Sequence, residues 1–155
     1  MGIMDLFRRK GLDEDFDPLG WDHHRMGMVK AAGIGVATLR CHRDTWAYFV
    51  DKFANKPMDR DAAAFRPPAD EDITDEGEGM ITVPLSGSTL AALLSKCRDL
   101  QFGAMASDLD KAIGRRVAAA IMQALRHVVP AEGDRSAAPA IVLDDRTAAP
   151  AAAAR

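Results

Sequence analysis

Apolar and polar residues alternate with period two most clearly over Met80 to Leu85, where Ile81, Val83 and Leu85 are separated by Thr82 and Pro84. Period two is the strand repeat, so this stretch predicts a β-strand with one buried face. Pro84 has no N–H for a ladder, which predicts an edge position or a strand end. The other strong patterns have helical spacing. Leu90, Leu93, Leu94, Cys97 and Leu100 fall on one stripe, with Ser86 or Ser88 placed to cap the helix that carries them. "QFGAMA" interrupts this helix. Ser107, with Asp110 three residues on, then predicts a second capped start. From there Leu109, Ile113, Val117, Ala120, Ile121, Ala124, Leu125 and Val128 share a broad apolar face, and Lys111, Arg115 and Arg126 lie opposite, until Pro130 ends the helix. Residues 80–130 therefore read as a strand–helix–helix unit.

The first half of the chain is patterned less evenly. "RDTWAYFVDKFANK" predicts a helix capped by Asp44 or Thr45, with Trp46, Phe49, Val50 and Phe53 on one face. "RMGMVKAAGIGVATLR" reads as a weaker helix before it, because each interior glycine costs about 1 kcal/mol. Gly27, Ala31 and Gly35 recur every four residues, a smooth face that another helix can approach closely. Residues 21–56 are thus expected to form a helical hairpin. Residues 1–20 form an amphipathic start and an acidic turn. Residues 57–79 are an acidic linker, in which Asp59, Asp61, Asp70, Glu71, Asp72, Asp75, Glu76 and Glu78 outweigh Arg60 and Arg66. Residues 131–155 form an Ala/Pro-rich tail without fixed structure, except for "AIVLDD", Ala140–Asp145. The expected class is mainly α, a small α+β chain. Its strand must find a partner for its backbone groups. Ala140–Asp145 from the tail is one choice, and the same strand in a second copy is the other.

Composition narrows the function. With 155 residues, 48% apolar but only 6% aromatic, the chain suits one compact core built from Leu, Ile, Val and Met. A net charge of −3 gives no global pull toward nucleic acid or anionic lipid. Two distant cysteines, Cys41 and Cys97, predict free thiols and a cytoplasmic setting. The nearly apolar run Met26–Leu39 holds Lys30 and falls short of the roughly 20 residues a membrane span needs. Ile3, Leu6 and Phe7, followed by Arg8, Arg9 and Lys10, predict at most weak peripheral contact with the inner face of a membrane.

Candidate chemistry is sparse. "GIGVAT" lacks a predicted strand before it and has Thr38 where a dinucleotide fingerprint requires glycine. "CHRD" at Cys41–Asp44 has the letters of a kinase catalytic loop without its companions. His23, His24, Cys41 and His42 are zinc-type ligands, but on one straight helix His23 and His42 would stand about 28 Å apart. We therefore expect no catalytic, cofactor or metal site, and no enzyme. Over residues 87–128, Lys96, Arg98, Lys111, Arg115, Arg116 and Arg126 outnumber Asp99, Asp108 and Asp110. Lys111, Arg115 and Arg126 become the candidate partner-binding face, suited to an acidic partner such as the chain's own linker.

The order strand, helix, helix over residues 81–128, paired through the strand with a twin, resembles the ribbon-helix-helix repressors. That resemblance implies a dimeric DNA-binding regulator reading a groove with the exposed strand face. The residues there are Thr82 and Pro84, preceded by the acids of "DEDITDEGEG", which repel phosphate. The expectation is accordingly a small non-enzymatic protein that works through protein–protein contacts, with itself or another protein. Its Ala/Arg/Asp-rich style points to an accessory protein of a bacterial phage or plasmid.

Overall fold

The structure, a computed structural model, describes residues 21–54, 64–128 and 139–144 and is α+β. In chain order the elements are α1 (Trp21–Ala32), β1 (Val36–His42), α2 (Arg43–Phe53), β2 (Thr74–Gly77), β3 (Met80–Ser86), α3 (Gly87–Phe102), α4 (Asp108–Leu125) and β4 (Ala140–Leu143), with a 3-10 turn at Asp70–Asp72. The strands form one mixed sheet in the order β2-β3-β1-β4. β3 runs antiparallel to both its neighbours, and β4 runs parallel to β1.

The strand–helix–helix order of residues 80–130 is present as β3, α3 and α4. Ser86 is the cap of α3, its Oγ accepting the Thr89 N–H at 3.2 Å, and Ser107 caps α4 by accepting the Asp110 N–H at 3.1 Å. Leu90, Leu93, Leu94 and Cys97 are completely buried. Leu109 departs from its expected inward place: it lies in the first turn of α4 and is 68% exposed.

The helical hairpin expected over residues 21–56 does not form. Its first helix stops at Ala32, and Val36–His42 is a strand. The reason is visible in the side chains: Ala37, Leu39 and Cys41 are fully buried, while Thr38, Arg40 and His42 alternate with them on the other face. This is a strand period, and β-branched Val36 and Thr38 favour it. Of the spaced small residues, Gly27 does permit a close approach, since a Cβ there would meet Met122 and Leu94. Gly35 lies beyond the helix in open space. The cap of α2 also lies two residues before Asp44, the earlier of the two expected: His42 Nδ1 accepts the Asp44 N–H at 3.2 Å.

β1 is the partner that β3 lacked. Leu39 pairs with Val83 and Cys41 with Ile81, so the buried faces of the two strands are continuous. The tail segment does return to the sheet, but Ala140–Leu143 pairs with β1 and not with Met80–Leu85. The second edge of β3 is taken by β2, which comes from the stretch read as a linker. Pro84 therefore sits in an interior strand. The Thr38 N–H donates to Pro139 O at 2.9 Å, so Thr38 faces β4 and its pair with Pro84 is not a hydrogen-bonded one. The missing N–H of Pro84 points away from β1, past Thr74, where β2 has already ended.

The β2–β3 turn is built by Gly77 (φ 85), Glu78 (φ 54) and Gly79 (φ 78), three successive residues in the left-handed region. Gly79 has a second constraint, because the His42 imidazole packs where a Cβ would be. The acids of this segment face β1: Arg43 donates to Asp75, and Arg40 and Thr82 both donate to Glu76. Thus Asp75 and Glu76 pair with β1 and α2, and not with Lys111, Arg115 or Arg126. Beneath the sheet, Leu39, Leu85, Leu90, Leu93, Leu94, Ile121, Leu125 and Ile141 form one core. The few aromatics add to it, with Phe53 stacked on Phe49 and edge-on to Phe65.

Candidate protein-binding surface

The site grows from the start of α4. Asp110 accepts a hydrogen bond from the Tyr48 hydroxyl at 2.6 Å and one from Lys52 Nζ at 3.2 Å, which clasps α2 to the first turn of α4. Tyr48 and Lys52 are four residues apart and so share one face of α2. The Tyr48 hydroxyl and the Lys52 ammonium hold the Asp110 carboxyl down to about 2. Burial, reinforced by the same carboxylate, raises the Tyr48 phenol.

Beside this clasp lies an open cleft of about 610 Å³. Met80, Ile113, Val117 and Leu143 supply its apolar floor, and His42, Asp44, Tyr48 and Arg116 its polar rim. A smaller cleft of about 240 Å³ lies on the other flank of α4, between Leu94 and Met122, with His23, His24, Arg98 and Arg115 around it. α4 is consequently a ridge between two clefts. Arg115 lines one of them and Arg116 the other.

The residues predicted as the partner-binding face fall on this ridge. Arg115 and Arg126 are exposed and Lys111 is half-buried. Among the described residues the side chain of none of the three makes a hydrogen bond or an ion pair. The predicted membrane contact, Ile3, Leu6, Phe7, Arg8, Arg9 and Lys10, lies outside the described residues. No helix among the described residues is long and apolar enough to cross a membrane.

The histidines and cysteines do not converge. His23 and His24 line the smaller cleft, and His42 the larger. Burial, with Arg98 adding to it, lowers the His24 pKa. Cys41 and Cys97 are buried free thiols, the first pushed up to about 11 by burial and the second also raised by it. A protonated, enclosed thiol is a poor nucleophile. No group of three or more His, Cys, Asp or Glu among the described residues is placed to hold a metal ion. The α2–α4 clasp and the larger cleft escaped the sequence reading. The shared face of Tyr48 and Lys52 was visible, but their meeting with Asp110 depends on contacts across some sixty positions.

No known protein family, curated protein or solved structure matches this chain.

Proposed function

We propose that the protein is a non-enzymatic interaction module whose α4 ridge binds an acidic, amphipathic segment of a partner protein. One observation carries this reading: the side chains of Lys111, Arg115 and Arg126 make no ion pair among the described residues, and Arg115 lines a cleft floored by Leu94 and Met122. Apolar side chains of the partner would fill the clefts, while its carboxylates meet the ridge. The ridge charges act chiefly on encounter and on choice of partner, and the apolar anchors supply most of the binding energy. The buried, protonated thiols accord with work in a reducing cytoplasm.

The test uses a synthetic helical peptide with Leu at i, i+3, i+4 and Glu on its remaining face, set against the same peptide with Lys for Glu. Calorimetric titration should show binding of the Glu peptide alone, weakening as salt rises. Arg115→Glu with Arg126→Glu should reduce it at least tenfold, about 1.4 kcal/mol. Equal binding of both peptides, or of neither, removes the proposal. A DNA duplex in the same series should not bind; a salt-sensitive duplex complex would favour a nucleic-acid partner instead.

A further inference from the structure

We infer that the outer edge of β4 is the contact through which two copies of this chain form a two-fold symmetric dimer. The two edges of the sheet are built differently. β2 is four residues long, fully exposed, carries Asp75 and Glu76, and shifts register between Asp75 and Gly77. Charge and irregularity of this kind protect an edge from pairing. β4, "AIVL", has neither, and Val142 on it is 49% exposed.

Among the described residues no strand lies beyond β4, and the backbone shows which of its groups are left without a partner there. The Thr38 N–H donates to Pro139 O, so Pro139 and Ile141 face β1, and the N–H and C=O of Ala140 and Val142 face outward. An extended segment is the occupant that satisfies such a row. A second copy of β4 satisfies it in phase. If Val142 meets its own copy on the axis, Ala140 meets Asp144 of the partner, and each of these pairs exchanges both its backbone hydrogen bonds. The same register sets Ile141 opposite the partner's Leu143 on the core face and the two Val142 side chains together on the open face.

Strand pairing of this length buries too little for a specific interface, which needs roughly 1,200 Å² or more. The contact therefore extends to α4, which packs against β4. Leu109, 68% exposed, shares a helical face with Ile113 and Arg116 beside Leu143, and this flank meets its symmetry mate. The dimer shares the Ile113–Leu143 flank with the larger cleft, whereas Val142 lines neither cleft, so variants at Val142 test the dimer separately from the acidic partner.

Sedimentation across a concentration series should show the full chain passing from monomer to dimer. Val142→Pro removes a donor that faces outward and leaves the β1 ladder intact, so it should shift the dimer to at least tenfold higher concentration while circular dichroism stays unchanged. Val142→Cys should give a disulfide-linked dimer on mild oxidation, because symmetry places the two residues side by side, about 5.5 Å between Cα atoms. Ala140→Cys, opposite an aspartate, should not. A wild-type chain monomeric at every concentration, a dimer indifferent to Val142→Pro, or equal cross-linking of both cysteine variants overturns the inference. Cross-linking of neither overturns it too, and would leave the edge to another segment.

Discussion

A single carboxylate, Asp110, joins two helices whose sequences are far apart, and its chemistry sets a pH dependence. Its folded pKa lies near 2, below the ordinary carboxylate value of 3.8, with the Tyr48 hydrogen bond as the largest cause and Lys52 next. A depressed carboxylate stabilises the folded state fully above its unfolded pKa, and that stabilisation is lost as the pH falls through the folded one. Asp110→Asn should therefore lower the urea midpoint at pH 7. The gap to wild type should narrow below about pH 4 and close as the pH falls through about 2, where the native carboxyl is also neutral. A gap that stays constant down to the lowest pH would show that the charge of Asp110 plays no part in the clasp. Trp46, buried against Phe65, reports the unfolding by fluorescence.

Whether an element was legible depended on how far its pattern agreed with its neighbours. β3, α3 and α4 were readable because their periods, caps and breakers coincide over residues 80–128. β1 was not. Its own alternation of Ala37, Leu39 and Cys41 with Thr38, Arg40 and His42 is a strand signal, but it follows α1 after only the three-residue link Gly33–Gly35, and apolar Ala and Leu continue the helical tone. β2 was hidden by its charge: Asp75 and Glu76 look like linker until Arg40 and Arg43 stand opposite them. The ridge residues of α4 were legible as a charged face, whereas the clefts beside them arise from tertiary packing that no local pattern encodes. The turn joining β2 to β3 exposes this dependence on context. Gly79→Ala would force φ 78 on a residue with a Cβ and push that Cβ into His42. We expect a loss of about 1–3 kcal/mol, read as a lower urea midpoint with unchanged slope. A wild-type midpoint would mean that the turn relaxes freely.

At the scale of the molecule, the sheet closes only because the chain comes back after α4. Ile141 and Leu143 are almost fully buried, and Asp144 lies 3.6 Å from Arg40 across the sheet face. Burying two such side chains contributes about 1.5–3 kcal/mol each, a large share of a typical stability of roughly 5–15 kcal/mol. Without β4, the outward groups of Thr38 and Arg40 become an unprotected edge, and the apolar flank of α4 loses its floor. A chain ending at residue 138 should therefore melt well below the full protein, or aggregate. A chain ending at residue 145, which keeps β4, should melt with it. Equal melting of all three would mean that Ile141 and Leu143 add nothing to the core. Dimerisation read from the same preparations separates the two roles of the strand. Val142→Pro should lose the dimer while keeping most of the fold, whereas the chain ending at residue 138 should lose both, because one face of β4 completes the core and its outer edge is left to meet a copy of itself.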